Sequence, residues 1–181
     1  MSRAWKNEKV VNVMQGDYYV TGDEDVMLTT ILGSCVAACM FDPQAKIGGL
    51  NHFLLPGEAN SLRSSTAESY GVYLMELLVN GLLKHGARRE RLVAKLFGGA
   101  RTVAGLSDIG VRNADCAKRF LELEGITYLG GSLGGNAGRR IQFWPASGRA
   151  RQLVMREINP SVNVAPKTST VVSDGGDVEL F

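Results

Sequence analysis

Short apolar runs, broken by turn residues, mark out the first third of the chain. Tyr18–Val20, Val26–Leu32, Val36–Phe41 and Ile47–Leu55 are rich in Val, Ile, Leu and Phe, which predicts buried strands. Leu92–Phe97, Ile126–Leu129, Arg140–Trp144 and Gln152–Ile158 continue the pattern. Between the third and fourth runs stands Asp42-Pro43-Gln44-Ala45-Lys46. Asp followed by Pro suits the first two positions of a type I turn, so these runs are expected to form a hairpin.

Two segments have helical spacing instead. Ser65 and Glu68 are set as a capping box, predicting a helix start there. Apolar residues then recur at Tyr70, Leu74, Leu77, Leu78 and Leu82, with Val72, Met75, Val79 and Leu83 on the adjoining stripe. So wide an arc predicts burial on more than one side, and Gly86 predicts the stop. A second helix is expected over Arg112–Glu124, with Ala114, Ala117, Phe120 and Leu121 inward and Gly125 ending it. Many strands with two helices, and no regular alternation, predict an α+β fold. The expected form is a layered sandwich of mostly antiparallel strands.

Composition sets the scale. The chain of 181 residues, 45% apolar and 21% charged, is the size of one domain with a sizeable core. That domain is expected over residues 1–158. Residues 159–181 hold Pro160, Pro166, Gly175 and Gly176 among Ser and Thr, with an acidic end, and read as a flexible tail. Its closing Val-Glu-Leu-Phe is apolar enough to dock. The first residues lack an apolar stretch of the kind a secretory signal carries. The run Leu74–Leu83, interrupted by Glu76 and Asn80, is far short of a membrane span. A cytoplasmic protein without membrane insertion is the expectation.

Charge changes the picture less by its total than by its placement. A formal charge of +2 gives no support to nucleic-acid binding. Between Lys84 and Arg156, however, 14 Lys and Arg face five acids. The bland explanation is solvated helix and strand ends, and the sharper one is a surface that steers an acidic protein partner.

Three cysteines cannot close a disulfide framework and read as thiols. Cys35 follows an apolar strand and two small residues, Gly33 and Ser34. Small residues before a nucleophile allow a sharp turn and a close approach of a substrate carbonyl. A thiol of ordinary pKa needs an activating neighbour. If Val36–Phe41 and Ile47–Leu55 pair as a hairpin, His52 comes beside Cys35, the combination that nucleophilic acyl chemistry uses. Thr29, six residues before Cys35, would share its face on one strand and could fix the His52 tautomer. A buried cysteine and a strand histidine are also common core residues, so spacing alone leaves both meanings open.

Other chemistry is weaker. Cys35 and Cys39 on one strand would stand about 13 Å apart, awkward for one metal. The remaining candidates Cys116 and His85 lie on helices, so no metal or cofactor is expected. Gly98-Gly99 and Gly130–Gly138 match no phosphate-loop spacing and read as turns. Gly33, Ser34, Asn51, Asn136 and Arg139 are candidates for substrate or oxyanion contacts.

Leu32-Gly33-Ser34-Cys35-Val36-Ala37-Ala38-Cys39-Met40-Phe41-Asp42-Pro43, followed by Ile47-Gly48-Gly49-Leu50-Asn51-His52-Phe53-Leu54-Leu55-Pro56, closely resembles the chemoreceptor glutamine deamidase CheD family. The likeness extends through Tyr70–Lys84, Lys95–Ala100, Ile109–Asn113, Leu133–Arg139 and Phe143–Gly148, covering roughly residues 10–158. It implies a sandwich like the catalytic domain of cytotoxic necrotizing factor toxins. It also implies hydrolysis of receptor glutamines to glutamates, with Cys35, His52 and Thr29 as catalytic residues and no cofactor. Binding to the phosphatase CheC is a second role the resemblance implies. A binding module without activity, and a cysteine peptidase or small-molecule amidase, are the rival classes. Arg101-Thr102-Val103 departs from the family, which often has a large apolar residue after the Gly-Gly-Ala. The tail has no counterpart in the resemblance.

Overall fold

The computed structural model describes residues 8–55, 61–101, 107–155 and 178–181. In chain order these form β1 (Lys9–Asn12), β2 (Tyr18–Thr21), β3 (Val26–Leu32), β4 (Val36–Asp42), β5 (Ile47–Phe53), α1 (Ser61–Lys84), β6 (Val93–Gly98), α2 (Ser107–Leu123), β7 (Thr127–Leu133), β8 (Arg139–Trp144), β9 (Arg149–Val154) and β10 (Val178–Leu180). One five-stranded sheet has the order β1-β3-β8-β9-β10 and the other β2-β5-β4-β6-β7. All pairings are antiparallel except β1 with β3 and β6 with β7. The layered α+β expectation holds, with two helices and mostly antiparallel sheets.

Burial explains the apolar runs. Every residue of β4 is buried. Ala37, Cys39 and Phe41 pack with Leu28, Leu32, Leu50, Phe97 and Phe143 between the sheets. Val36, Ala38 and Met40 pack on the other face with Phe53, Leu74, Leu78, Leu82, Phe120 and Leu121, most of them from the helices. A strand covered on both faces has no polar side to alternate with. The hairpin forms as expected. Asp42 accepts from the backbone N–H of Gln44 and Ala45 at 2.9 and 3.0 Å, and its carboxylate is gripped by Arg91 at 2.6 Å.

Several boundaries move. α1 begins at Ser61, four residues before Ser65, so the predicted capping box lies inside the helix. Tyr70 and Val72 stay exposed, which narrows the expected buried arc. α2 begins at Ser107 rather than Arg112. Both helices end as expected: Ala87 N–H returns to Leu82 and Gly86 N–H to Leu83, while Ile126 and Gly125 repeat this with Leu121 and Glu122. β7 runs on through Gly130 and Gly131, where the glycines had suggested a turn. A Cβ on Gly131 would lie 2.0 Å from the Leu96 carbonyl oxygen, so this glycine serves close strand approach at a bulge.

β1 and β10 carry no alternating pattern; Val10, Val178 and Leu180 are exposed. Of the expected loose tail, only its last four residues are described, and these are docked. β10 pairs with β9, Phe181 exchanges two backbone hydrogen bonds with Ala150, and its ring meets Phe97 edge-on at 5.3 Å. No helix among the described residues is long and apolar enough to cross a membrane.

Candidate active site

Sheet pairing brings the two proposed reactive residues together. In the β4–β5 ladder Ala37 lies opposite His52 and Val36 opposite Phe53. Cys35, the residue just before β4, therefore stands diagonal to His52, a spacing of about 7–8 Å between backbones and less between side chains. Both belong to the face turned toward the other sheet, where Ala37, Leu50 and partly Cys35 pack.

The turn holding Cys35 is fastened on every side. Ala100 N–H donates to the Gly33 carbonyl at 2.9 Å, and Gly99 N–H to the Cys35 carbonyl at 2.8 Å. Gly98 has φ +110, and a Cβ there would sit 2.1 Å from the Cys35 carbonyl oxygen, so glycine is required for this closeness. Asn113, fully buried on α2, donates to the Ser34 carbonyl at 2.8 Å and accepts from Leu55 N–H at 2.9 Å. One side chain thus ties the turn at Cys35 to the end of the histidine strand.

His52 is held by Thr30. The Thr30 hydroxyl lies 2.8 Å from the Val13 carbonyl oxygen and 2.8 Å from His52 Nδ1. A hydroxyl has one hydrogen and a carbonyl can only accept, so both bonds form only if Thr30 donates to Val13 and accepts from Nδ1–H. The proton of the neutral ring is then on Nδ1. Nε2 is left as a bare lone pair, buried and without a hydrogen-bond partner among the described residues. Burial pulls the His52 pKa below 6.5, with the Val13 carbonyl opposing. Burial likewise pushes the Cys35 thiol up, opposed by its own backbone N–H. Both shifts favour the neutral thiol and the neutral imidazole. Cys35 Sγ meanwhile donates to Gln15 Oε1 at 3.6 Å.

The other expected site residues sort by face. Thr29 does not orient the ring: its hydroxyl donates to the Ile141 carbonyl at 2.8 Å. Counting parity to Cys35 failed because β3 ends at Leu32 and the chain bends through Gly33 and Ser34. Asn51 is no substrate contact either. Next to His52 on a strand it points to the opposite face, accepting from Ala38 N–H at 2.9 Å and donating to the Leu74 carbonyl at 3.3 Å. Arg139 is 5% exposed and braces the β7–β8 loop through Ser132 and Gly134. Asn136 is exposed on that loop, which is joined to the Cys35 side by Gly134 N–H to Gly98 and Arg101 N–H to Gly135. Thr102 and Val103, the rest of the departure from the family pattern, lie outside the described residues.

Cys39 is buried between the sheets with its thiol pushed up by that burial. Cys116 lies on the helix side, lining a cavity of about 640 Å³ between α1 and α2 with Tyr73, Phe120 and Leu123. Among the described residues no three His, Cys, Asp or Glu side chains cluster as metal ligands. Part of the basic surplus is occupied: Arg91 by Asp42, Arg89 by Glu124, Lys95 by the Gly148 carbonyl and Arg149 over the Trp144 ring.

Sequence reasoning missed Thr30, Asn113 and Gln15. Thr30 was within reach, as the other threonine of the pair. Asn113 closes the Ile109–Asn113 stretch of the family likeness, but nothing in the sequence ties it to Cys35, and Gln15 carried no signal.

Comparison with known proteins identifies the family. The family described as CheD chemotactic sensory transduction matches residues 54–153. This chain belongs to the CheD family. A protein of Acidiphilium cryptum named "Probable chemoreceptor glutamine deamidase CheD" is 54% identical over 94% of this chain and 93% of its own. Proteins of the same name from Agrobacterium fabrum and Rhizobium meliloti are 53% and 60% identical, covering 96% and 80% of this chain and 97% and 80% of theirs. The first two of these CheD relatives span nearly the whole length, so the likeness extends beyond the matched family region to β3 and the turn at Cys35.

Proposed function

We propose that this protein is a chemoreceptor glutamine deamidase, with Cys35 as nucleophile and His52 as general base. The observation that carries the reading is the bare, buried Nε2 of His52 on the same sheet face as Cys35, its other nitrogen held by Thr30. A ring in that tautomer can take a proton from a thiol. The relatives' shared name supplies the substrate class.

His52 Nε2 takes the Cys35 proton as sulfur attacks the side-chain carbonyl carbon of a receptor glutamine. The carbonyl electron pair moves to oxygen and returns as the C–N bond breaks, with His52 giving its proton to the departing ammonia. Water, deprotonated by His52, then splits the thioester, leaving glutamate and free thiol. The net reaction adds one water and releases one ammonia. The helices of receptors exposed in the cytoplasm are the substrate that fits this role.

The test is mass spectrometry of a receptor cytoplasmic fragment treated with wild type or with Cys35→Ala. Amide-to-acid conversion at defined glutamines is expected with wild type alone. Peptide-bond cleavage, or equal conversion by the alanine variant, would sink the proposal.

A further inference from the structure

Attack on an amide carbon places negative charge on its oxygen, and donors aimed at that oxygen carry much of the rate. Two polar groups lie at the Cys35 sulfur: its own backbone N–H and the Gln15 carboxamide. The first is aimed by α2. In a planar trans peptide C=O and N–H point opposite ways. Asn113 holds the Ser34 carbonyl toward the helix, so the Cys35 N–H is turned away from it.

The second stands on an exposed loop whose neighbouring residues are tied to the histidine strand and to β3. Gly16 N–H donates to the His52 carbonyl at 2.7 Å, and His52 N–H donates to the Asp17 carbonyl at 3.1 Å. Val13 N–H is bonded to the Thr29 carbonyl at 2.9 Å. The Gln15 backbone is thus carried by the same residue that supplies the base. Its carboxamide offers one acceptor and two donors. At rest the oxygen receives the S–H. Once Nε2 has that proton, sulfur has nothing left to donate, and the broad terminal torsion of glutamine lets the NH₂ turn inward.

We infer that Gln15 is a catalytic residue, its side-chain N–H acting with the Cys35 backbone N–H as the second donor to the oxyanion. This rests on the deamidase reading for its substrate, though the donor pair would serve any acyl transfer at Cys35. Asn113 is a positioning residue for the first donor.

Gln15→Ala and Gln15→Glu, beside wild type and Cys35→Ala, are assayed for ammonia release from a short glutamine-containing peptide. Binding of a peptide aldehyde, in which the aldehyde replaces the glutamine carboxamide, is measured in parallel. Alkylation of Cys35 by iodoacetamide, which forms no oxyanion, reports whether thiol and base remain intact. Loss of the donor should lower kcat about a hundredfold, with KM little changed, aldehyde affinity reduced and alkylation as fast as in wild type. Gln15→Glu should rescue nothing, since a carboxylate only accepts. Undiminished or faster turnover by Gln15→Ala would overturn the inference; faster turnover would mark Gln15 as an occupant that substrate must displace. Should wild type release no ammonia, the deamidase reading fails. Equal aldehyde affinity in wild type and Gln15→Ala would then still overturn the donor role.

Discussion

Replacing Thr30 by valine keeps the side chain's shape and removes only the hydroxyl. Thr30 is 2% exposed and His52 7%, so water cannot substitute for what is lost. The Val13 carbonyl loses its donor and Nδ1–H its acceptor. Buried groups left unpaired cost about 1–3 kcal/mol each, which should appear as a clear drop in the denaturation midpoint. The catalytic effect has a different origin. Without an acceptor at Nδ1 the ring proton is free to sit on Nε2, and that tautomer cannot take the Cys35 proton. If the lost bond was worth about 1–1.5 kcal/mol, the ratio of the competent tautomer to the other falls roughly five- to tenfold, and kcat/KM falls by up to that factor. The assay is ammonia release from a glutamine peptide, paired with ¹⁵N NMR of His52 to read the tautomer directly. Thr30→Ser should restore both. Thr29→Val, which removes only a bond to the Ile141 carbonyl, should leave the tautomer signal unchanged. Loss of activity in Thr29→Val together with a normal Thr30→Val would refute the assignment.

The acid limb of kcat/KM should lie below pH 6.5, because burial lowers the His52 pKa and only the neutral ring is a base. For the same reason the unfolded chain binds the extra proton first. The stability His52 contributes is therefore complete above 6.5 and declines as pH falls from there toward the folded value; a limb midpoint above 6.5 would contradict this. Asp42→Ala should cost about 3 kcal/mol in chemical denaturation, since Arg91 and three backbone N–H groups lose a carboxylate that is wholly buried. Burial disfavours that carboxylate's charge, yet Arg91 and those N–H groups hold its pKa well below the usual range. Titrating wild type should accordingly show this contribution intact above pH 3.8 and lost only under stronger acid. Phe181→Ala should lower stability by about 1–2 kcal/mol through the lost edge-on contact with Phe97, while turnover at a temperature where the variant stays folded is unchanged. An unchanged melting temperature would mean the C-terminal strand contributes nothing to the fold.

Local pattern was enough for β2 to β6, for α1 and α2 in outline, and for the hairpin that makes Cys35 and His52 neighbours. That pairing follows from a short turn between two apolar runs, a relation local enough for sequence to carry. Both helix starts, the strand course of Gly130-Gly131, and the edge strands β1 and β10 were not legible. Edge strands take their stability from a partner's backbone, which leaves little demand on their own side chains.

Sequence by itself determined which residues could react: one thiol after two small residues, and one histidine a hairpin away. Only the tertiary structure decided which groups surround and hold them. Thr30 rather than Thr29 meets the ring because the chain bends at Gly33, which breaks the strand parity that pointed to Thr29. Asn113 and Gln15 reach the site from α2 and from the loop before β2, through hydrogen bonds between segments far apart in the chain. Such contacts depend on how layers stack, and stacking leaves no periodic mark on the residues that happen to meet.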